Sequence, residues 1–198
     1  GLPKAELHLH LEGTLEPDLK LALARKNGVD IGQSTVEEVQ ATYQFNDLTS
    51  FLAVYYPAMD VLQDEDDFHD LAAAYFERAR ANGVVRAECF FDPQAHTSRG
   101  IAIETVIRGY YRAVVEAREA GLSADLILCF LRDMSAESAL ETLQAALPYK
   151  DMFIGVGLDS DERDNPPTKF ARVFELAREV GLHVTMHCDI DQIGSIDN

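Results

Sequence analysis

Cysteine is scarce in this chain, basic residues are outnumbered two to one by acidic ones, and no apolar run approaches the length needed to cross a bilayer. The three cysteines, at positions 89, 129 and 188, are odd in number and widely spaced. Each sits in or beside an apolar run, as a small buried hydrophobe would. They make no disulfide framework and fit a reducing, cytoplasmic setting. Seventeen Lys and Arg against 34 Asp and Glu give a net charge of -17. A surface of that sign repels phosphate backbones and anionic lipid, which excludes non-specific nucleic-acid binding and membrane docking. A small uncharged heterocycle is not excluded. No basic segment leading into an apolar stretch opens the chain, so no signal peptide is expected. No glycine-rich phosphate loop follows any apolar run, which disfavours a nucleotide-binding doubly wound sheet.

What is present is one globular domain's worth of chain, 198 residues that are 47% hydrophobic. Apolar strand-like runs alternate with helical patterns. Strands are expected at Ala5–Thr14, Val84–Asp92, Asp125–Leu131, Met152–Leu158 and His183–His187. Helices are expected from Pro17 to Asn27, over Glu65–Asn82, Ile103–Ala120, Ala136–Leu147 and Thr168–Val180, with a short piece at Thr35–Tyr43 and an apolar, aromatic stretch at Leu48–Leu62. The βαβα alternation argues for an α/β fold with a parallel sheet. Polar residues gather at strand C-terminal ends: His8 and His10, Asp92, Arg132-Asp133, Asp159-Ser160 and His187. In a barrel those ends form the face that carries the site, so a (β/α)8 TIM-type barrel is the expected architecture. Five strands are counted where closure needs eight. Residues 1–198 are therefore expected to be part of a longer protein, with little activity of their own.

The first strand, Ala5-Glu6-Leu7-His8-Leu9-His10-Leu11-Glu12-Gly13-Thr14, carries the chemistry. Alternation puts His8 and His10 on one face, with Glu12 continuing it, and Leu7, Leu9 and Leu11 on the other. Two imidazoles on one edge of a pleat can reach one metal ion. His187, at the end of the fifth strand, is the third candidate; three imidazoles can hold Zn²⁺ with room for a water. His183 is expected at the surface, and His69 and His96 lack ligand spacing.

The stretch Leu-Pro-Lys-Ala-Glu-Leu-His-Leu-His-Leu-Glu-Gly-Thr-Leu closely resembles the opening of the adenosine/adenine deaminase family of metal-dependent amidohydrolases. The resemblance implies a zinc-dependent aminopurine deaminase, with adenine as the first substrate and adenosine or an N6-substituted adenine as variants. It implies His8, His10 and His187 as metal ligands. The family's remaining ligand aspartate, its catalytic histidine and its second aspartate have no counterpart in residues 1–198. One departure concerns the proton donor. The family's usual His-Ala-Gly-Glu reads His187-Cys188-Asp189-Ile190 here, so Asp191 or Asp189 is the candidate donor. Glu12 stands where adenosine deaminases carry a ribose-contacting aspartate, and its length resembles the adenine deaminase branch. Asp159 and Ser160 are expected at the purine edge, with Leu48, Phe51 and Tyr55 as an apolar wall. The Cys-x-x-Cys of base-flipping zinc deaminases is absent. A purine-binding relative without catalysis, another amidohydrolase reaction and association into a homo-oligomer stay open.

Overall fold

The apolar runs become five parallel strands: β1 (Lys4–His10), β2 (Val84–Phe91), β3 (Ser123–Leu131), β4 (Gly155–Asp159) and β5 (His183–Val184). The computed structural model describes residues 2–188. The strand order is β1-β2-β3-β4-β5 with no reversal. A doubly wound sheet reverses its order at a switch point; a barrel does not. These are the first five β/α units of a (β/α)8 barrel.

Between the strands lie α1 (Pro17–Asn27), α2 (Val36–Ala41), α3 (Leu48–Ala58), α4 (Glu65–Ala81), α5 (Pro93–Thr97), α6 (Ile103–Glu119), α7 (Ala136–Ala146) and α8 (Ala171–Glu179). Local chemistry sets their ends. Asp64 begins α4 with a capping box, its side chain accepting from the Asp67 amide. Pro17 occupies the first turn of α1, and Gly28 closes it in the left-handed conformation. Among the described residues, no helix is long and apolar enough to cross a membrane.

The main core lies between the sheet's outer face and the helices. Alternate residues Ala87, Cys89 and Phe91 of β2 and Leu126, Leu128 and Phe130 of β3 pack there against Phe68, Leu71, Ile107 and Tyr110. The opposite, inner face holds a smaller cluster of Phe90, Ile127 and Cys129. Gly109 lets α6 press onto α4: a Cβ there would meet the Glu65 carbonyl oxygen and the Phe68 Cβ, each at 2.6 Å.

Two expectations about the first strand are corrected. The three-residue step of β1 from Glu6 to Leu9 spans the two-residue step of β2 from Ala87 to Cys89, so β1 carries an extra residue there in its ladder. Leu7 is thereby turned off the leucine face. It is 55% exposed and lies with Phe90, Ile127 and Ile154 on the inner side, while Leu9 and Leu11 pack into the core. Glu12 does not prolong the histidine face either, because the chain leaves the strand at His10 for a 3-10 turn over Leu11–Thr14.

Candidate metal centre

The bulge and the strand end aim His8 and His10 over the concave inner face. His187 enters from the far side of the sheet, where its amide donates to the Leu158 carbonyl at 3.0 Å. The three Nε2 atoms converge: His8 to His187 is 3.0 Å and His10 to His187 is 2.9 Å. All three rings thus offer one nitrogen to a common point. Phe90 lies beneath them, edge-on to His8 and stacked on His10.

Two carboxylates stand behind His10. Its Nδ1 is 3.3 Å from Asp159 and 3.9 Å from Asp92, at the ends of β4 and β2. A carboxylate on Nδ1 favours the tautomer with the proton there, leaving the Nε2 lone pair free to ligate. Burial opposes charge on His10, but Asp159 and Asp92 outweigh it and raise its pKa to about 10. Burial lowers His187 to about 4, helped by His10 and His8; His8 is lowered by burial and by His10. Asp92 is raised to about 7 by burial and by the neighbouring Asp159. Three imidazolium charges cannot coexist here, whereas three lone pairs around one cation can. Asp92 and Asp159 are 1% and 4% exposed, and each leaves an Oδ1 without a hydrogen-bond partner among the described residues. This donor set of imidazole nitrogens backed by buried carboxylates fits a borderline-soft divalent ion such as zinc.

Above the histidines is a cavity of about 340 Å³. Asp92, Asp159 and Ser160 share its polar floor, and Leu48, Phe51, Leu52, Tyr55 and Tyr56 of α3 form its apolar wall. The volume is at the lower end of the range for small-molecule sites. Ser160 sits in the left-handed region, with φ at 72°, a conformation that non-glycine residues adopt mostly where function or tight geometry demands it.

Glu12 is placed differently from the other candidates. It is absent from the lining of this cavity and borders a neighbouring one of about 310 Å³. Its Oε1 accepts from the Asp92 amide at 3.1 Å, from His96 Nε2 at 3.0 Å and from the Tyr110 hydroxyl at 3.1 Å. Its Oε2 is buried without a hydrogen-bond partner among the described residues. His96, expected in a loop, lies in α5 with no exposure, and Arg99 donates to its Nδ1 at 3.0 Å. His69 is held away from the site between Asp70 and Glu116, and His183 is exposed. Asp189 and Asp191 lie outside the described residues. Sequence reasoning put Asp92 on the site-bearing face without a specific role, and did not single out Phe90. The Asp-Pro at the end of an apolar run was the available signal for Asp92; nothing local marked Phe90.

The chain is similar to known deaminases in sequence and in fold. An adenine deaminase of Geotalea uraniireducens is 57% identical over 187 residues, covering 94% of this chain and 53% of that protein. The crystal structure of an adenine deaminase from Arthrobacter aurescens superposes with a TM-score of 0.94 at 49% identity, over 97% of this chain and 59% of that one. An amidohydrolase from Burkholderia ambifaria, crystallised with bound Zn, gives a TM-score of 0.80 at 31% identity, over 94% of this chain and 52% of that one. The chain therefore spans little more than half the length of the relatives it matches. The adenosine deaminase family model matches residues 3–190, nearly the whole chain, and the chain belongs to that family.

Proposed function

We propose that the protein carrying this chain hydrolytically deaminates adenine, releasing ammonia and hypoxanthine, with one Zn²⁺ held by His8, His10 and His187. The observation that carries this reading is the convergence of three imidazole Nε2 atoms beneath a small, aromatic-walled cavity. The names of the matched adenine deaminases support the substrate, and the Zn-bound neighbour supports the metal.

Zinc, when bound, supplies Lewis acidity and lowers the pKa of a coordinated water to about 7. The residues of this chain contribute orientation, binding and a proton. Asp159 and Asp92 keep the His10 proton on Nδ1, so that Nε2 faces the ion. Phe51 and Tyr55, with ring centroids 5.2 Å apart, offer an apolar wall against a purine ring and exclude water from it. Asp159 and Ser160, at the end of β4, meet the polar edge of the base, and Glu12 bounds the space beyond it. Asp191, or Asp189, donates the proton to the ring nitrogen as the carbon bearing the amino group is attacked. A cytosolic setting suits the three free thiols.

The test is direct. The intact protein is loaded with zinc and offered adenine, adenosine and N6-methyladenine, with ammonia or methylamine release and the ultraviolet shift of the base recorded. Turnover of adenine above the other two is the expected result. Zinc binding without turnover of any aminopurine would overturn the proposal.

A further inference from the structure

The three histidines are not held equally. His8 and His10 belong to a seven-residue strand, whereas regular pairing in β5 covers only His183–Val184. Beyond it, the chain is tied to β4 by the Thr185 amide on the Val156 carbonyl and the His187 amide on the Leu158 carbonyl, both at 3.0 Å. The carbonyl side of His187 is held by a side chain. Arg132, the residue after β3, donates from Nη1 to the His187 carbonyl at 2.8 Å and from Nε to the Asn165 carbonyl at 2.9 Å. Its own amide donates to the Asp159 carbonyl at 3.0 Å.

Arg132 has no solvent exposure. Burying a guanidinium is costly, and an apolar side chain of similar volume would fill the space without that cost. What an apolar side chain cannot do is hold two carbonyls from different loops in a rigid fork. Arg132 thus joins the end of β3 to the ends of β4 and β5, which carry Asp159 and His187. We infer that Arg132 is a positioning residue for the candidate metal centre: by gripping the His187 carbonyl it aims that imidazole at His8 and His10. The inference rests on the proposed metal site and concerns how that site is assembled.

The experiment compares Arg132→Met, Arg132→Lys and Lys169→Met in the intact protein. Lys169 donates to the Arg132 carbonyl and to Asn165 Oδ1 but makes no hydrogen bond to His187, so it reports on the Arg132 backbone and its loop without the grip on His187. Zinc affinity is measured by chelator competition, coordination by the visible spectrum of the cobalt-loaded protein, and folding by circular dichroism. Loss of the partner that orients a ligand typically weakens metal binding by about 10–100-fold. Arg132→Met is expected in that range with an altered cobalt spectrum. Arg132→Lys is expected to weaken binding by about tenfold, since one ammonium replaces the planar fork, and Lys169→Met to stay near wild type. A folded Arg132 variant with wild-type zinc affinity and cobalt spectrum overturns the inference. So does an equal loss in Lys169→Met, or failure of both arginine variants to fold, which would make Arg132 a folding residue. A wild-type protein that binds no zinc refutes the metal site itself, a separate outcome.

Discussion

Replacing Glu12 tests whether this carboxylate holds the barrel mouth together. Three donors meet on its Oε1: the Asp92 amide, His96 Nε2 and the Tyr110 hydroxyl. Glu12 is 3% exposed and its partners 1%, 0% and 0%, so its removal leaves three donors facing each other in a buried setting. Glu12→Ala orphans all three donors at about 1–3 kcal/mol each, giving a loss of at least about 3 kcal/mol. Glu12→Gln keeps an acceptor at the Oε1 position and puts its amino group where Oε2 has no partner among the described residues. Only the charge assistance is lost, about 1 kcal/mol. Urea denaturation at neutral pH reads both, as a change in midpoint at constant slope. For a chain of this size, 3 kcal/mol corresponds to a fall in Tm of about 6–12 °C. A cost below about 1 kcal/mol for Glu12→Ala at unchanged slope would refute the reasoning. Kinetics separate the second role: a raised KM in Glu12→Gln at wild-type stability would place the free Oε2 on the substrate.

Removing the metal tests the centre as a whole. With zinc at 100 times its Kd the wild type should gain about 2.7 kcal/mol of stability, a gain that EDTA abolishes and that His187→Ala cannot recover; equal Tm with and without zinc counts against the site. Gly109→Ala should destabilise by about 1–3 kcal/mol, because its Cβ would meet backbone of α4 at 2.6 Å; an unchanged melting curve would show that the two helices are not in close contact. Asp67 gives a pH dependence. Burial pushes its carboxyl up, but Lys26, the Gln63 and Asp64 amides and Asn27 hold it below the ordinary range. An acid depressed in the fold stabilises it above the unfolded-state value of about 3.9, and that stabilisation is lost as the pH falls through the lower folded value. Asp67→Asn should therefore cost about 1–3 kcal/mol at pH 7, with the gap from wild type closing below about pH 4. A gap that stays constant down to pH 2 would contradict the assignment.

Where local chemistry decides an element, the sequence was readable. The Asp64 capping box and the Asn82-Gly83 stop mark α4 to within a residue, and the apolar run after Gly83 is β2. The histidine pair and the strand-end aspartates were visible for the same reason. Elements set by packing were not. Asp92-Pro93 looked like a loop and opens α5. Met152, expected in a strand, ends a 3-10 turn, and β4 begins only at Gly155. The extra residue in β1 is defined by its register against β2, which no single strand reveals. The contact between Glu12 and His96 joins residues 84 apart in the chain. Each is unremarkable locally, and only the fold pairs them.

The histidines come from the two ends of the strand order. His8 and His10 belong to β1, and His187 follows β5, with the whole sheet between them. In a ring of eight, the first and fifth strands face each other across the axis. A cation bound there would act as a crossbar spanning the mouth at its widest. Anything that spread or narrowed the ring, including distant changes in helix packing, would be felt as a change in ion affinity. Conversely, loading the ion would stiffen the curvature of every strand in between.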